Sequence, residues 1–435
     1  MKNILGIRHE DKYAMERRVP LIPGQVRQMI EAEGMEVLVQ KSPRRVFTDR
    51  EYMKAGARVV DSLEEARVIF GVKEMPVDFF ERDKAYVFFS HVIKGQSYNM
   101  PMLRKMMDMG CTLIDYEKVT DDMGRRLIFF GRFAGLAGMI NSLWSLGQRY
   151  LVLGRETPFL RVRQSHTYNS LEEAKKDVMA AGMEIAMKGL PNDIIPAVIG
   201  FTGYGQVSGG AREIASLLPS IEITPEELLT SGDRKDLPGN VILKVVFKEW
   251  HLSEHNDKPG DFDLQHYYAH PEEYHNVFER YVPFLTVLMN CMYWDDRYPR
   301  IVTKDHLEKL FSGGVPRLTV IGDVTCDPGG SVECTHAGTH IEDPVFVYDP
   351  ITRRHTMGFE GRGILDMAVD ILPSELPRES SIAFSNALKP YVKGIAEADY
   401  SRPFDELELP MPVKRATILH RGALTPDYTY IEKYL

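Results

Sequence analysis

Cysteine is scarce in this chain, with four in 435 residues. Cys111, Cys291, Cys326 and Cys334 are too few and too scattered for a disulfide framework, so reduced, buried thiols are expected. Only Cys326 and Cys334 lie near one another; His336 and His340 follow them, but the tight C-x2-4-C pairing of a zinc site is missing. His251, His255, His266, His270 and His275 are irregularly spaced as well, and no metal is expected. Long apolar runs are also absent. The greasiest helical stretch, Ala134 to Leu146, contains Asn141 and two serines between Arg132 and Arg149, too short to span a bilayer. The opening Met1 to Arg8 becomes charged before a secretory core develops. Basic residues are in deficit, with a net charge of −9 and a pI near 5.9, which argues against nucleic acid as the main partner and leaves room only for local basic pockets. These absences lead us to expect a soluble cytoplasmic protein without nucleic-acid or membrane partners.

What the chain does contain is an ordinary globular composition, 44% hydrophobic and 26% charged, over a length that suits two or three domains. Its most informative stretch runs from Ala197 to Leu218. Ala197, Val198, Ile199 and Phe201 suit a buried strand, while Val207, Ala211, Ile214, Ala215 and Leu218 recur at helical steps. Between them, Gly203 and Gly205 occupy the first two glycine positions of G-x-G-x-x-G, and Ser208 stands at the third, where a small side chain is enough. The pattern fits a dinucleotide site or a plain glycine-rich turn. In the first reading Gly203, Tyr204, Gly205, Gln206 and Val207 meet the pyrophosphate at the positive end of the helix dipole. The next strand, Ser220 to Pro225, ends without a clear acid, since Glu222 falls mid-strand and Thr224 sits at the tip. An acid there bonds the ribose 2′-hydroxyl and repels a 2′-phosphate, so its absence leans toward NADPH over NADH.

The first 130 residues alternate strand and helix: strands at 3–8, 36–40, 68–72, 87–90 and 112–115, helices near 23–33, 49–55 and 100–109. Such alternation predicts a mostly parallel sheet with helices on both faces, whose ligands gather beyond the carboxyl ends of the strands. The residues at those ends are rich in chemistry. Arg8 and Glu16-Arg17-Arg18 follow the first strand, Lys73-Glu74 the third and His91 the fourth, with Lys94 nearby. Tyr116-Glu117-Lys118 and Gly124-Arg125-Arg126 follow the fifth. Each has a bland alternative, a solvated strand end for Lys73, a structural histidine for His91, a surface turn for the arginines. Four successive strand ends of this kind nevertheless converge on one rim.

Gly131 to Trp144 reads as a helix whose small residues allow another backbone to pack close, and it marks the passage between domains. A helix near 170–187 precedes the nucleotide strand, and 241–247 is a further strand. Leu318 to Ser331 is a strand ending in polar residues. Asp323 and Asp327 at its exit suit the nicotinamide and substrate side of a site, or simple Asp-Pro-Gly turn chemistry. A helix at 378–397 and a strand at 416–420 are expected to return to the first domain.

Taken in order, several motifs resemble the lysine-ketoglutarate reductase half of bifunctional aminoadipate semialdehyde synthase. They are Gly6-Ile-Arg-His-Glu10, Glu16-Arg-Arg-Val-Pro-Leu21, Gly71-Val-Lys-Glu74, Phe88-Phe-Ser-His-Val-Ile-Lys94, Asp115-Tyr-Glu-Lys118 and Gly124-Arg-Arg126. Gly203-Tyr-Gly205, Asp323-Val-Thr-Cys-Asp-Pro-Gly-Gly330, Leu376-Pro-Arg-Glu379 and Gly422-Ala-Leu-Thr-Pro426 extend the likeness over essentially the whole chain. It is more distantly similar to lysine-forming saccharopine dehydrogenases, alanine dehydrogenase and the transhydrogenase nucleotide domains.

The resemblance implies an α/β fold of two Rossmann-like domains with parallel sheets separated by a cleft. Residues 1–130 with about 375–435 would form the substrate domain and 131–374 the nicotinamide dinucleotide domain. It implies a free-standing reductase that condenses lysine with 2-oxoglutarate and reduces the imine to saccharopine with NADPH or NADH. The match places acid–base roles on Lys73 and His91, a natural pair for moving protons during imine formation. Arg18, Arg125 and Arg126 offer forked donors to the substrate carboxylates, and Glu74 and Glu117 would hold the ammonium of lysine or tune the base. Asp327 corresponds to an active-site aspartate of the alanine dehydrogenase relatives, and Asp323 joins the cofactor set. Rival readings are a related dehydrogenase using another amine or oxo acid, and a catalytically silent nucleotide-binding regulator. Intact Lys73, His91 and arginines weigh against the last. The oligomeric state stays open, a homodimer being one option.

Overall fold

The structure, a computed structural model, describes residues 4–231 and 238–435. The chain divides into two compact units, Met1–Phe130 with Pro377–Leu435, and Gly131–Leu376. It opens with β1 (Ile4–Ile7), α1 (Pro23–Glu33), β2 (Glu36–Gln40), α2 (Asp49–Lys54), β3 (Arg58–Val60), β4 (Val68–Phe70), β5 (Ala85–Phe88), α3 (Met100–Asp108) and β6 (Thr112–Asp115). The second unit begins with α4 (Gly131–Val152) and α5 (Leu171–Lys188), then β7 (Ala197–Thr202), α6 (Gln206–Ala215), β8 (Ser220–Ile223), α7 (Pro225–Ser231) and β9 (Ile242–Phe247). A small antiparallel hairpin pairs β10 (Ser253–His255) with β11 (Tyr274–Asn276). β12 (Val287–Asn290), β13 (Val320–Asp323), β14 (Val345–Asp349), β15 (Arg354–Met357) and β16 (Ile364–Met367) follow. A long helix, Pro377–Glu397, leads back to the first unit, where β17 (Thr417–His420) and β18 (Ala423–Leu424) end the strand series.

Local sequence explains the element ends. Pro23 opens α1 at a position where its missing N–H costs nothing, and Gly34 closes it at φ +64°. Thr48 and Glu51 form a reciprocal capping box on α2. Val68–Phe70 and Ala85–Phe88 are apolar and buried along their whole length, as strands covered on both faces must be.

The sheet of the first unit runs β18-β17-β6-β5-β4-β1-β2-β3. β1 to β6 are parallel, and β17 joins β6 antiparallel. β6, β5, β4 and β1 are consecutive neighbours, so the residues that follow them emerge side by side. The sheet of the second unit runs β15-β14-β16-β13-β12-β7-β9-β8, parallel except for β14 and β15 at one edge.

This order fixes the place of the strand that follows the glycine turn. The strand after the glycine turn, β8, does not flank β7; it lies at the sheet edge, and β9 sits between them. Burial gives the reason: Ile221 and Glu222 of β8 are exposed, as an edge tolerates, whereas most of β9 is buried. Thr224 is not a ribose-reading tip either. Its hydroxyl accepts the Glu227 N–H, and Glu227 accepts the Thr224 N–H, capping α7.

α4 and α6 cross at glycine. A Cβ on Gly135 would lie 1.8 Å from the Val207 carbonyl oxygen, and one on Gly210 would lie 2.1 Å from that of Arg132. Gly209, on the exposed side of α6, meets nothing within 4 Å. Gly210→Val should therefore force the helices apart and destabilise the protein by about 1–3 kcal/mol or more. Gly209→Ala should stabilise it by roughly 0.5–1 kcal/mol through helix propensity. Denaturant midpoints of the two variants check the contrast.

Candidate active site

The rim of the first unit is built by the loops leaving β1, β4, β5 and β6. From the first of these, Glu10 reaches under the second. Its carboxylate is 5% exposed and accepts the Val72 N–H at 2.7 Å and the Lys73 N–H at 2.9 Å. Glycine at 71 keeps the approach open, because a Cβ there would sit 2.7 Å from Met75 Cε and 3.4 Å from Glu10 Oε1. Burial, then repulsion from Glu16, pushes the Glu10 carboxyl up to about 7 despite the attraction of Arg8.

Glu16 and Arg18 form a buried two-point pair, Nε to Oε1 at 2.8 Å and Nη2 to Oε2 at 2.6 Å. The Arg18 guanidinium lies 4.2 Å from the centre of the Phe130 ring. Burial alone would raise the Glu16 carboxyl; the Arg18 charge and hydrogen bonds, aided by the Lys73 charge, bring it below its ordinary value. The Lys73 ammonium stands 5.9 Å from the Tyr13 ring centre.

Glu74 is the hub. Its Oε1 accepts from Lys12 Nζ at 2.5 Å and pairs with His91 Nδ1 at 2.8 Å. Burial works against the charge, but His91 and Lys12 outweigh it and hold this carboxyl down at about 2. Its Oε2 is buried without a hydrogen-bond partner among the described residues. A carboxylate can only accept, so the hydrogen of the His91–Glu74 bond sits on Nδ1, and Nε2 is left as the atom that gains or loses a proton. His91 adopts φ +49°, an uncommon conformation for a side-chain-bearing residue. Asn99 Nδ2 holds the segment by donating to the carbonyls of Ser90 at 3.0 Å and His91 at 3.2 Å.

Asp115 ties the last two loops together. Its Oδ2 accepts the Ser90 N–H at 3.0 Å and also the Ser90 hydroxyl, and its Oδ1 accepts the Glu117 N–H at 2.8 Å. Glu117 pairs with Arg126, while Arg125 pairs with Asp121 at 2.7 Å. The structure thus brings Glu74 and His91 together, places the Lys73 ammonium by the Tyr13 ring and the Glu16 charge, and joins Glu117 to Arg126. It separates the arginines in character, Arg18 buried and Arg125 and Arg126 exposed. Sequence reasoning missed Glu10, Lys12, Asn99 and Asp115 as supporting groups.

In the second unit, Gly203 has φ +78°, and a Cβ there would press on Met292 Cα at 3.2 Å. Gly205 is the N-cap of α6, and a Cβ added to it meets nothing within 4 Å. An open glycine before the free N–H groups of a ten-residue helix fits a pyrophosphate cradle. Gln206 and Val207 open that helix, and Ser208 is fully buried. Tyr204 is half-exposed and donates to Glu249 at 3.2 Å. Asp323 is buried, and both oxygens are occupied: Oδ1 by Asn290 at 2.8 Å and the Cys326 N–H at 3.1 Å, Oδ2 by Thr335 at 2.7 Å. It links strand ends, whereas Asp327 is exposed.

Among the described residues, His255, His266 and Glu273 bring donor atoms within 4.8 Å, as do His270, Glu272 and Glu273. The irregular spacing concealed this because the β10–β11 hairpin folds distant residues together. His255 Nδ1 accepts the Asp257 N–H at 3.1 Å, so a neutral ring carries its hydrogen on Nε2, which faces Glu273 at 3.4 Å.

The model of the alanine dehydrogenase/PNT N-terminal domain matches residues 6–137, and that of the C-terminal domain matches residues 287–426. Alpha-aminoadipic semialdehyde synthase of Arabidopsis thaliana is 39% identical over 99% of this chain, and the chain spans 41% of that protein. Saccharopine dehydrogenase [NAD(+), L-lysine-forming] of Yarrowia lipolytica is 29% identical over 91% of this chain and 93% of its own length. The solved structure of an L-alanine dehydrogenase covers 99% of this chain, and the match spans 98% of its own, with a TM-score of 0.62 at 18% identity. Both eight-stranded α/β units therefore have the Rossmann-like fold expected from the sequence. No helix among the described residues is long and apolar enough to cross a membrane.

The raised carboxyl of Glu10 has a signed consequence. Its folded value of about 7 lies above the ordinary 4.5, so its contribution to stability is full below 4.5 and is lost as pH rises through 7. Glu10→Gln should flatten that slope, by roughly 1–3 kcal/mol between pH 5 and pH 8. Urea denaturation of both proteins at the two pH values measures it.

Proposed function

The chain belongs to the alanine dehydrogenase/PNT family, and from that premise we propose that it condenses L-lysine with 2-oxoglutarate and reduces the imine to saccharopine, reversibly, with NADPH as the preferred reductant. The observation that carries this reading is the Glu74 hub, which draws Lys12 and His91 onto one carboxylate beside Lys73.

Attack of the lysine side-chain amine on a ketone needs a proton removed from nitrogen and another delivered to the departing hydroxyl. Lys73 and His91 Nε2 are the groups proposed to move them. Glu74, ionised across the working range, keeps the His91 hydrogen on Nδ1 and is the carboxylate proposed to tune the base or hold the ammonium of lysine. Arg18, Arg125 and Arg126 supply paired N–H donors for carboxylates, with Glu16, Asp121 and Glu117 holding them in the absence of substrate. Asp327, exposed beyond β13, and Glu117 complete the proposed substrate set. Gly203, Tyr204, Gly205, Gln206 and Val207 would hold the dinucleotide, with Asp323 fixing the strand ends beneath it. When bound, the dinucleotide supplies the hydride. Cytoplasmic residence belongs to the same proposal and is checked by cell fractionation.

Purified protein given lysine, 2-oxoglutarate and NADPH should consume the near-ultraviolet absorbance of the reduced nicotinamide only when both organic substrates are present. A panel of amines against oxo acids tests the pairing; faster turnover with another pair would replace the substrates named here. Lys73→Met should lower kcat by about two to four orders of magnitude while NADPH affinity, read by fluorescence, stays near that of the parent. Equal loss of both would remove Lys73 from proton transfer.

A further inference from the structure

The strand order of the second unit moves the point at which the adenosine ribose is read. In a dinucleotide fold that point is the tip of the strand lying beside the glycine-turn strand. Here the neighbour is β9, third in sequence. Thr202 pairs with Phe247, the Gly203 N–H donates to the Phe247 carbonyl at 3.1 Å, and the next residue is Lys248.

We propose that Lys248, with the Tyr204 and Trp250 rings beside it, forms a subsite for the 2′-phosphate of the adenosine half of the dinucleotide and so selects NADPH over NADH. The inference rests on the dinucleotide reading of the Gly203 turn. Lys248 is exposed and has no ion pair among the described residues; its ammonium stands 6.0 Å from the Tyr204 ring centre and 5.0 Å from that of Trp250. Both rings are more than two-fifths exposed, an unusual display for large aromatics unless a flat ligand covers them. The backbone beneath is fixed, because His251 Nδ1 accepts the Lys248 N–H at 3.0 Å. The neighbouring carboxylate, Glu249, accepts the Tyr204 hydroxyl at 3.2 Å and the Tyr268 hydroxyl at 2.9 Å on Oε1, while its Oε2 is buried without a hydrogen-bond partner among the described residues. A cation at the position where NAD-binding folds place an acid attracts a phosphate.

The test is fluorescence titration of the full chain with NADPH and NADH, and competition by 2′-AMP and 5′-AMP, which needs no turnover. The parent should bind NADPH and 2′-AMP more tightly than NADH and 5′-AMP. Lys248→Ala should weaken NADPH and 2′-AMP by roughly tenfold to a hundredfold, the worth of a hydrogen bond to a charged group, and leave NADH within about twofold. Thr224→Asp, at the tip of the edge strand, should leave the NADPH-to-NADH ratio unchanged. Equal weakening of both dinucleotides by Lys248→Ala, a parent without preference for the 2′-phosphate, or a ratio that follows Thr224 overturns the subsite while the dinucleotide reading stands. Failure of the parent to bind either dinucleotide overturns both.

Discussion

Parallel pairing of β6, β5, β4 and β1 is the constraint from which the rest of the rim follows. Parallel neighbours all point their carboxyl ends the same way, so four loops far apart in sequence must emerge side by side. Nothing in the individual loops would gather Glu10, Lys73, Glu74, His91 and Glu117; the register of the strands behind them does. The apolar, two-sided burial of β4 and β5 makes that register hard to slip, because a one-residue shift would turn every side chain to the opposite face.

Placing so many charges at one buried edge is expensive unless each is answered. Arg18 answers Glu16 with two parallel hydrogen bonds, and Lys12 and His91 answer Glu74. Glu10 is answered by two backbone N–H groups and the Arg8 charge, which do not offset its burial and the repulsion from Glu16, so its proton affinity rises. The contrast between two buried glutamates on neighbouring loops, one held near 2 and the other near 7, arises from the deeper burial of Glu10 together with the different partners of each. Glu74 is thereby suited to permanent charge.

Much of the fold was legible in residue pattern. Helix ends at Pro23 and Gly34, the strand at 112–115 and the glycine turn at 203–205 all carry local signals with one physical meaning. Strand order does not. Whether β8 or β9 lies beside β7 depends on which offers two apolar faces to its neighbours, a comparison between segments that periodicity within either one does not make. The supporting groups were hidden for a related reason. Glu10 acts through a bond spanning 62 residues to Val72, and Asp115 through one spanning 25 to Ser90, and neither spacing has a motif. Lys73 and His91 stood out because they follow strands directly. The histidines of the hairpin show the reverse case, in which irregular spacing concealed real proximity.

The antiparallel partner of β6 comes from the far end of the chain. β6 closes at Asp115 and β17 opens at Thr417, with the entire second unit translated between them. At the pace of a ribosome the interval lasts on the order of tens of seconds, during which the outer hydrogen-bonding edge of β6 has no strand beside it. An unpaired edge invites pairing with other nascent chains. Growth of the polypeptide therefore passes through a vulnerable interval that closes when β17 docks, and chaperone demand during synthesis should be concentrated there.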